Sequence, residues 1–304
     1  MALPKLYLTA AACLALGMLP PTPEPDFTDW STPENLGPVV NSSSTDAGGS
    51  VSKDGLSLYF HSNRSGNNDI YVSQRGDRNA PWGPPVNLGA TVNSTAGDAE
   101  ATLSRDEHWL FFNSARDGGF GNLDIWVSYR EHTHDDFDWQ PPVNVGSGVN
   151  SIAVDTGAAY FENDDTGAPQ LLFSSNRLGG PGPLDLYVSE LLPDGTFGPA
   201  VLIAELSSAF SEPGLSIRFD GLEVFFFSGR PPSQGGLDLW SATRKSVLDP
   251  WSAPANLGSI VNTTVNDVQP HIAPDRETLY FASNRAGGVG GMDLYVTRRS
   301  KEKH

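Results

Sequence analysis

The chain has 304 residues, with 36 Asp and Glu against 19 Lys and Arg and a formal net charge of −17. A field of that sign repels phosphate backbones over most of the surface, so no nucleic acid is expected as a partner. A single cysteine, Cys13, excludes a disulfide framework and a zinc site built on thiolates.

Residues 1–25 read as an export signal and a Pro-rich spacer. Lys5 supplies the positive charge, and Leu6 to Leu19 form an apolar stretch of 14 residues, too short to span a bilayer. Ala15-Leu16-Gly17 offers a small-residue cleavage site. Ala10-Ala11-Ala12-Cys13 offers a second reading, a lipoprotein anchored at Cys13, weakened by an alanine where a larger aliphatic is usual. Pro20-Pro21-Thr22-Pro23-Glu24-Pro25 would form a stiff spacer. The expected protein is periplasmic or secreted, has no transmembrane segment, folds as one domain over 26–300, and ends in a charged tail at 301–304.

From Trp30 onward one unit recurs. It opens on an aromatic with an Asn-Leu-Gly phrase: Trp30 with Asn35-Leu36-Gly37, Trp82 with Asn87-Leu88-Gly89, Trp139 with Asn144-Val145-Gly146, and Trp251 with Asn256-Leu257-Gly258; the fourth unit keeps Phe197 and Leu202. A second asparagine follows at Asn41, Asn93, Asn150 and Asn262, with Ser208 in the fourth. Next comes an acid, Asp46, Asp98, Asp155, Glu212 or Asp267, opening a strand that ends at a turn aspartate, Asp54, Asp106, Asp164, Asp220 or Asp275. A Leu-Tyr-Phe-type strand follows and ends near Arg64, Arg116, Arg177, Arg230 or Arg285. After a glycine-rich turn, a last strand opens at Asp69, Asp124, Asp185, Asp238 or Asp293.

Those five aspartates lie 55, 61, 53 and 55 residues apart, room for four short strands each and near the period of a propeller blade. The apolar spacing is nowhere helical. A lone blade cannot bury both faces of its sheet, so blades must pack on neighbours and close into a ring. The chain starts inside a unit, so the Trp30 to Gly37 strand can complete the last blade and leave no free edge. The expected fold is all-β, a five-bladed β-propeller of four antiparallel strands per blade, lettered A to D outward.

Ser-Asn-Arg, a glycine turn and Asp-Leu-Tyr-Val, preceded by an acid and a strand ending in Ala273-Pro274-Asp275, resemble the TolB-type, WD-repeat-like β-propeller of bacterial envelope proteins. The resemblance covers residues 30 to 298. It implies a propeller fold, an envelope or extracellular location, and a surface used for protein contact. That family is commonly six-bladed, and TolB itself carries a separate N-terminal α/β domain for which this chain has no room, so TolB's partner does not carry over.

Hairpin geometry pairs each arginine with the aspartate opening strand C: Arg64 with Asp69, Arg116 with Asp124, Arg177 with Asp185, Arg230 with Asp238 and Arg285 with Asp293. The aromatics Tyr71, Trp126, Tyr187, Trp240 and Tyr295 are then inter-blade packing. Gly287-Gly288-Val289-Gly290-Gly291 is no phosphate cradle, since neither a helix nor a Lys-Ser/Thr follows.

The acids opening strand A, Asp46, Asp98, Asp155, Glu212 and Asp267, fall at one mouth of the channel. There they would form a ring that must pair with arginine, cap backbone amides or hold a cation such as Ca²⁺. No other cofactor is indicated. Asymmetry is the better guide to a ligand: Glu100, Gln269 and His271 replace small residues at Gly48, Gly157, Gly214, Ser50, Ala159 and Ser216, and period-2 alternation puts them on the face of the acids. His61 and Asn113 stand on strand B where other blades have Ser174, Phe227 and Ala282, a place where a histidine is usually a satisfied core residue. His132-Thr133-His134-Asp135-Asp136-Phe137-Asp138 reads as a solvated acidic loop in preference to a metal site.

No nucleophile–base set stands out. The leading expectation is therefore an exported, monomeric, non-catalytic binding or scaffold propeller that recognises an envelope protein, peptide or glycan at the channel mouth. Two alternatives stand beside it. One is a glycan-active hydrolase or lyase using channel carboxylates, for instance Glu100 with Asp155 or Asp267; the other is a calcium-stabilised structural propeller.

Overall fold

The computed structural model describes residues 27–162 and 168–302. The export segment with Cys13, and the turn residue Asp164, lie outside the described residues. Twenty strands form five four-stranded antiparallel sheets, and the described residues contain no helix. None is therefore long and apolar enough to cross a membrane.

Blade I consists of strands A Asp46–Val51, B Ser57–Ser62, C Asp69–Gln74 and D Val86–Asn87. Blade II has Asp98–Leu103, Trp109–Ser114, Asp124–Tyr129 and Val143–Asn144. Blade III has Asp155–Phe161, Gln170–Ser175, Asp185–Glu190 and Val201–Leu202. Blade IV has Leu215–Ile217, Glu223–Ser228, Asp238–Thr243 and Ala255–Asn256. Blade V has Asp267–Ile272, Thr278–Ser283 and Asp293–Arg298, and it is completed by Glu34–Asn35 from the start of the domain. Glu34 pairs with Val296 and Asn35 with Tyr295, which seals the ring as the repeat arithmetic anticipates.

Strand B shows why the blades must pack on one another. In blades I, II, IV and V all six of its residues are buried, both faces being covered by neighbouring sheets. A strand covered on both sides reads as a continuous apolar run such as Leu-Tyr-Phe, without polar alternation. The apolar cores accordingly lie at the seams: one joins Phe111, Ile125 and Val127 of blade II to Tyr160, Leu171 and Phe173 of blade III. Another joins Phe225, Phe227 and Leu239 of blade IV to Val268, Leu279 and Phe281 of blade V. Burying each such side chain contributes on the order of 2 kcal/mol, so the ring is held mainly between blades.

Strand A departs from regular pleating. Its register against strand B shifts two residues after the opening acid in blades I, II, III and V, between Ala47 and Ser50, Ala99 and Thr102, Thr156 and Ala159, and Val268 and His271. The extra residue of such a bulge takes a left-handed turn and re-aims the strand. That residue is Gly48, Glu100, Gly157 or Gln269, at φ 66°, 55°, 61° and 52°.

Candidate functional site at the channel

The five acids that open strand A are wholly buried, each 0% exposed. Every one is held by the arginine of its own blade: Arg64 meets Asp46, and Nη2 of Arg116, Arg177, Arg230 and Arg285 lies 2.5, 2.6, 2.7 and 2.5 Å from Asp98, Asp155, Glu212 and Asp267. In four blades the second carboxylate oxygen accepts the amide at the start of the strand D to A connector, from Ser42, Ser94, Ser151 and Thr263; in the fourth blade Ser208 N donates to Glu212 Oε2. The same Nη2 donates to the carbonyl of Val40, Val92, Val149, Leu206 or Val261 on that connector. Acid and arginine therefore lock the passage from one blade to the next. They do not form an open ring at the mouth, and a Ca²⁺ bound to them would have to displace an arginine in each blade.

This corrects the pairing expected from hairpin geometry. Arg64, Arg116, Arg177, Arg230 and Arg285 do not pair with Asp69, Asp124, Asp185, Asp238 and Asp293. Each arginine's Nε is pinned by the serine ending strand B (Ser62, Ser114, Ser175, Ser228, Ser283), which turns the guanidinium toward strand A. The strand C aspartates bind the loop before them instead. Asp124 accepts from the Phe120 and Gly121 amides, Asp185 from Gly182, Asp238 from Gln234, and Asp293 from Val289 and Gly290, while Asp69 accepts from Ser65 Oγ. Four of them also take the side-chain amide of the Asn-Leu-Gly asparagine: Asn87 to Asp69, Asn144 to Asp124, Asn256 to Asp238 and Asn35 to Asp293, at 2.8 to 2.9 Å. The expected packing aromatics lie beneath the arginines, with Cζ 4.8 to 5.7 Å from the rings of Tyr71, Trp126, Tyr187, Trp240 and Tyr295.

With the acids inside the blades, the bulge residues remain to line the axis. Gly48, Gly157 and Gly214 form a narrow wall; a Cβ on Gly157 would stand 2.6 Å from the Gly214 Cα, so no side chain fits there. On the remaining arc Glu100, Gln269 and His271 come together, as their departure from glycine and small residues suggests. They share a narrow pocket with Phe227 and Leu215 as apolar lining. Alternation placed these three beside the acids; the bulge separates them and turns them to the channel.

Glu100 is the one carboxylate lining this pocket. Its Oε2 accepts from Asn113 Nδ2 and Thr156 Oγ1, both at 2.8 Å, and its Oε1 from Gln269 Nε2 at 2.5 Å. Its own amide donates to His61 Nδ1 at 3.2 Å. Burial raises its pKa despite those donors. His61 is a satisfied core residue that pins the Glu100 backbone, and burial lowers its pKa to about 4. Burial also lowers that of His271 to about 4, so both imidazoles are neutral at ordinary pH. Among the described residues His271 Nε2 and Gln269 Oε1 have no hydrogen-bond partner. The pocket therefore holds a carboxyl of raised pKa beside an imidazole nitrogen and an amide oxygen that have no partner.

Glu100 with Asp155 or Asp267 is not an acid–base pair, because both aspartates are buried under arginine. The His132 to Asp138 loop also differs from expectation. His132 and Asp138 form an exposed pair at 2.8 Å, but Asp136 is buried between blades I and II. Among the described residues no cluster of three or more His, Cys, Asp or Glu could hold a metal ion. A second set of arginines escaped the sequence reading. Arg75, Arg130, Arg244 and Arg299, just past strand C, lie 4.1 to 4.7 Å from the rings of Trp82, Trp139, Trp251 and Trp30. Their recurrence seven or nine residues before a tryptophan in blades I, II and IV was the available signal.

No family model matches the chain, and no curated protein is similar in sequence. Solved structures are similar in fold. An endo-arabinase from Bacteroides thetaiotaomicron is 15% identical with a TM-score of 0.59, over 91% of this chain and 98% of that one. A GH43_1 enzyme from Xanthomonas citri is 14% identical with a TM-score of 0.59, over 88% and 90%. TolB from Acinetobacter baumannii is 12% identical with a TM-score of 0.51, over 88% of this chain and 57% of that one. Identities this low establish the fold alone. The similar structures are mostly glycoside hydrolases, with TolB one neighbour among them, so the propeller fold is supported and the TolB-type family is not confirmed. They also overturn the order of the functional readings: the non-catalytic scaffold gives way to its glycan-active alternative.

Proposed function

We propose that this propeller is a glycan-active enzyme whose chemistry takes place in the off-centre channel pocket. The observation that carries the reading is Glu100, the one half-buried carboxyl lining the pocket, with a raised pKa, in a fold whose similar structures are mostly glycoside hydrolases. A carboxyl whose pKa is raised is suited to protonate a leaving glycosidic oxygen. A neutral imidazole with a free Nε2 is suited to take the proton of an attacking water, so His271 is assigned as base. One carboxyl and one imidazole thus stand where glycosidases commonly place two carboxyl groups. Gln269 and Asn113 orient Glu100, and Phe227 offers an apolar surface to a sugar ring.

The test is chromatographic analysis of products from a panel of arabinans, xylans and pectic oligosaccharides. The purified protein should release shorter sugars from at least one substrate, and Glu100→Gln, which keeps the size of the side chain but has no acidic proton, should lower the rate about 100-fold or more. Equal rates for the two proteins, or no product from any substrate, would sink the assignment.

A further inference from the structure

The seams between blades repeat one polar arrangement, in which the arginines following strand C of blades II and V meet an acid while, among the described residues, Arg75 of blade I and Arg244 of blade IV do not; Arg244 donates instead to the carbonyls of Gly221 and Val247. At the seam of blades I and II the carboxylate of Asp136 accepts from Ser57 Oγ at 2.5 Å, Tyr59 OH at 2.5 Å, Gln74 Nε2 at 2.7 Å and Arg130 Nη1 at 2.9 Å. At the seam of IV and V, Glu223 stands at the position of Ser57 and accepts from Arg299 Nη1 at 2.9 Å and Nη2 at 2.5 Å; Arg299 corresponds to Arg130. In both seams an acid of the chain satisfies the arginine that follows strand C.

At the seam of blades V and I the strand registers place Thr278, Tyr280 and Arg298 where Ser57, Tyr59 and Gln74 stand, and Arg75 where Arg130 stands. No acid fills the middle. Among the described residues Lys53, Arg75 and Arg78 have no carboxylate within ion-pair distance, and Arg298 reaches only Glu34, at 3.5 Å, on the exposed rim. Asp275, the acid of this groove, is already engaged by the amides of Glu277 and Thr278 and by Thr278 Oγ1. The groove gathers four cationic side chains on a chain of net charge −17. It shares no lining residue with the channel pocket.

We propose that this seam binds a small carboxylate-bearing molecule, whose carboxylate occupies the place held by Asp136 one seam away. Arg75 offers guanidinium N–H groups, the Tyr280 hydroxyl donates as Tyr59 does to Asp136, and Arg298, Arg78 and Lys53 supply further charge at the rim. A carboxylate is favoured over phosphate because both filled seams use one. The inference stands apart from the channel chemistry and does not depend on it.

The experiment is titration calorimetry on the whole chain with galacturonate, galactose as neutral control, and inorganic phosphate. Galacturonate should bind saturably, galactose should not, and phosphate should bind more weakly. Tyr280→Phe should weaken galacturonate about tenfold, the loss of one hydrogen bond to a charged group. It should fold normally, since Phe111 and Phe225 occupy that position in other blades. Thr278→Glu, which copies Glu223, should supply the missing acid, raise the melting temperature and abolish binding. Absence of saturable binding, equal binding of galactose, tighter binding of phosphate, or affinity unchanged in both variants would each overturn the proposal.

Discussion

Glu100 and Gln269 hold left-handed backbone at φ 55° and 52°, a conformation that costs a non-glycine residue on the order of 1 kcal/mol and that glycine fills in blades I and III. Strain of this kind, kept at two positions that meet over one pocket, marks the site more sharply than any single side chain. The same pocket governs an acid-side loss of stability. His61 and His271 titrate at about 4 in the folded chain against an ordinary 6.5, so the unfolded chain takes up their protons first as pH falls. Each therefore destabilises the fold by about 3 kcal/mol as pH drops from 6.5 to 4, with little further change from them below that. Glu100, whose pKa is raised, acts in the opposite sense: the folded state keeps its proton where the unfolded state has released it, so its contribution is lost as pH rises. Urea unfolding at pH 7 and pH 4 should show the drop. His61→Gln and His271→Gln should each remove about 3 kcal/mol of it, and an unchanged drop in both would refute the burial of neutral imidazole. Glu100, Gln269 and His271 were legible in the sequence because they break a repeat. Asp136 was not, since an acidic loop of that composition carries no sign that one carboxylate turns inward.

Within a blade, each arginine has two acids in reach, and the choice between them sets the architecture. Hairpin proximity favours the strand C aspartate, but the loop amides and the Asn-Leu-Gly asparagine occupy it, and the serine at the end of strand B aims the guanidinium at strand A. The repeat shows that arginine and both acids recur together; it does not show which acid the loop amides take. A double-mutant cycle separates the pairings. Arg177→Ala should cost about 3–5 kcal/mol, because Asp155 is wholly buried and would be left without a countercharge. Arg177→Ala and Asp155→Ala should couple by more than about 1 kcal/mol, whereas Arg177→Ala and Asp185→Ala should be additive within about 0.5 kcal/mol. Coupling to Asp185 in place of Asp155 would restore the hairpin pairing. The bulges of strand A were also hidden, since period-2 reading assumes an unbroken pleat; glycine at the same place in three units was the trace they left.

Five units of near-equal length and a first strand that completes the last sheet made the ring readable from the residues alone. Symmetry makes function hard to read for the same reason: whatever recurs five times builds blades, and here that includes every acid once placed at the mouth. The symmetry breaks at one arc of the channel, where Glu100 is the sole lining carboxylate, and at the seam of blades V and I, where four cationic side chains line one groove. The account turns on Glu100 being a carboxyl of raised pKa open to a glycan. Its most direct test is a carbon-13 NMR titration of the side-chain carboxyls, with Glu100 assigned by the resonance lost in Glu100→Gln and the titration repeated with arabinan or xylan oligosaccharide. The account predicts a Glu100 midpoint above the ordinary 4.5 that moves when the oligosaccharide is added. A midpoint at or below 4.5, unmoved by any oligosaccharide, would contradict it.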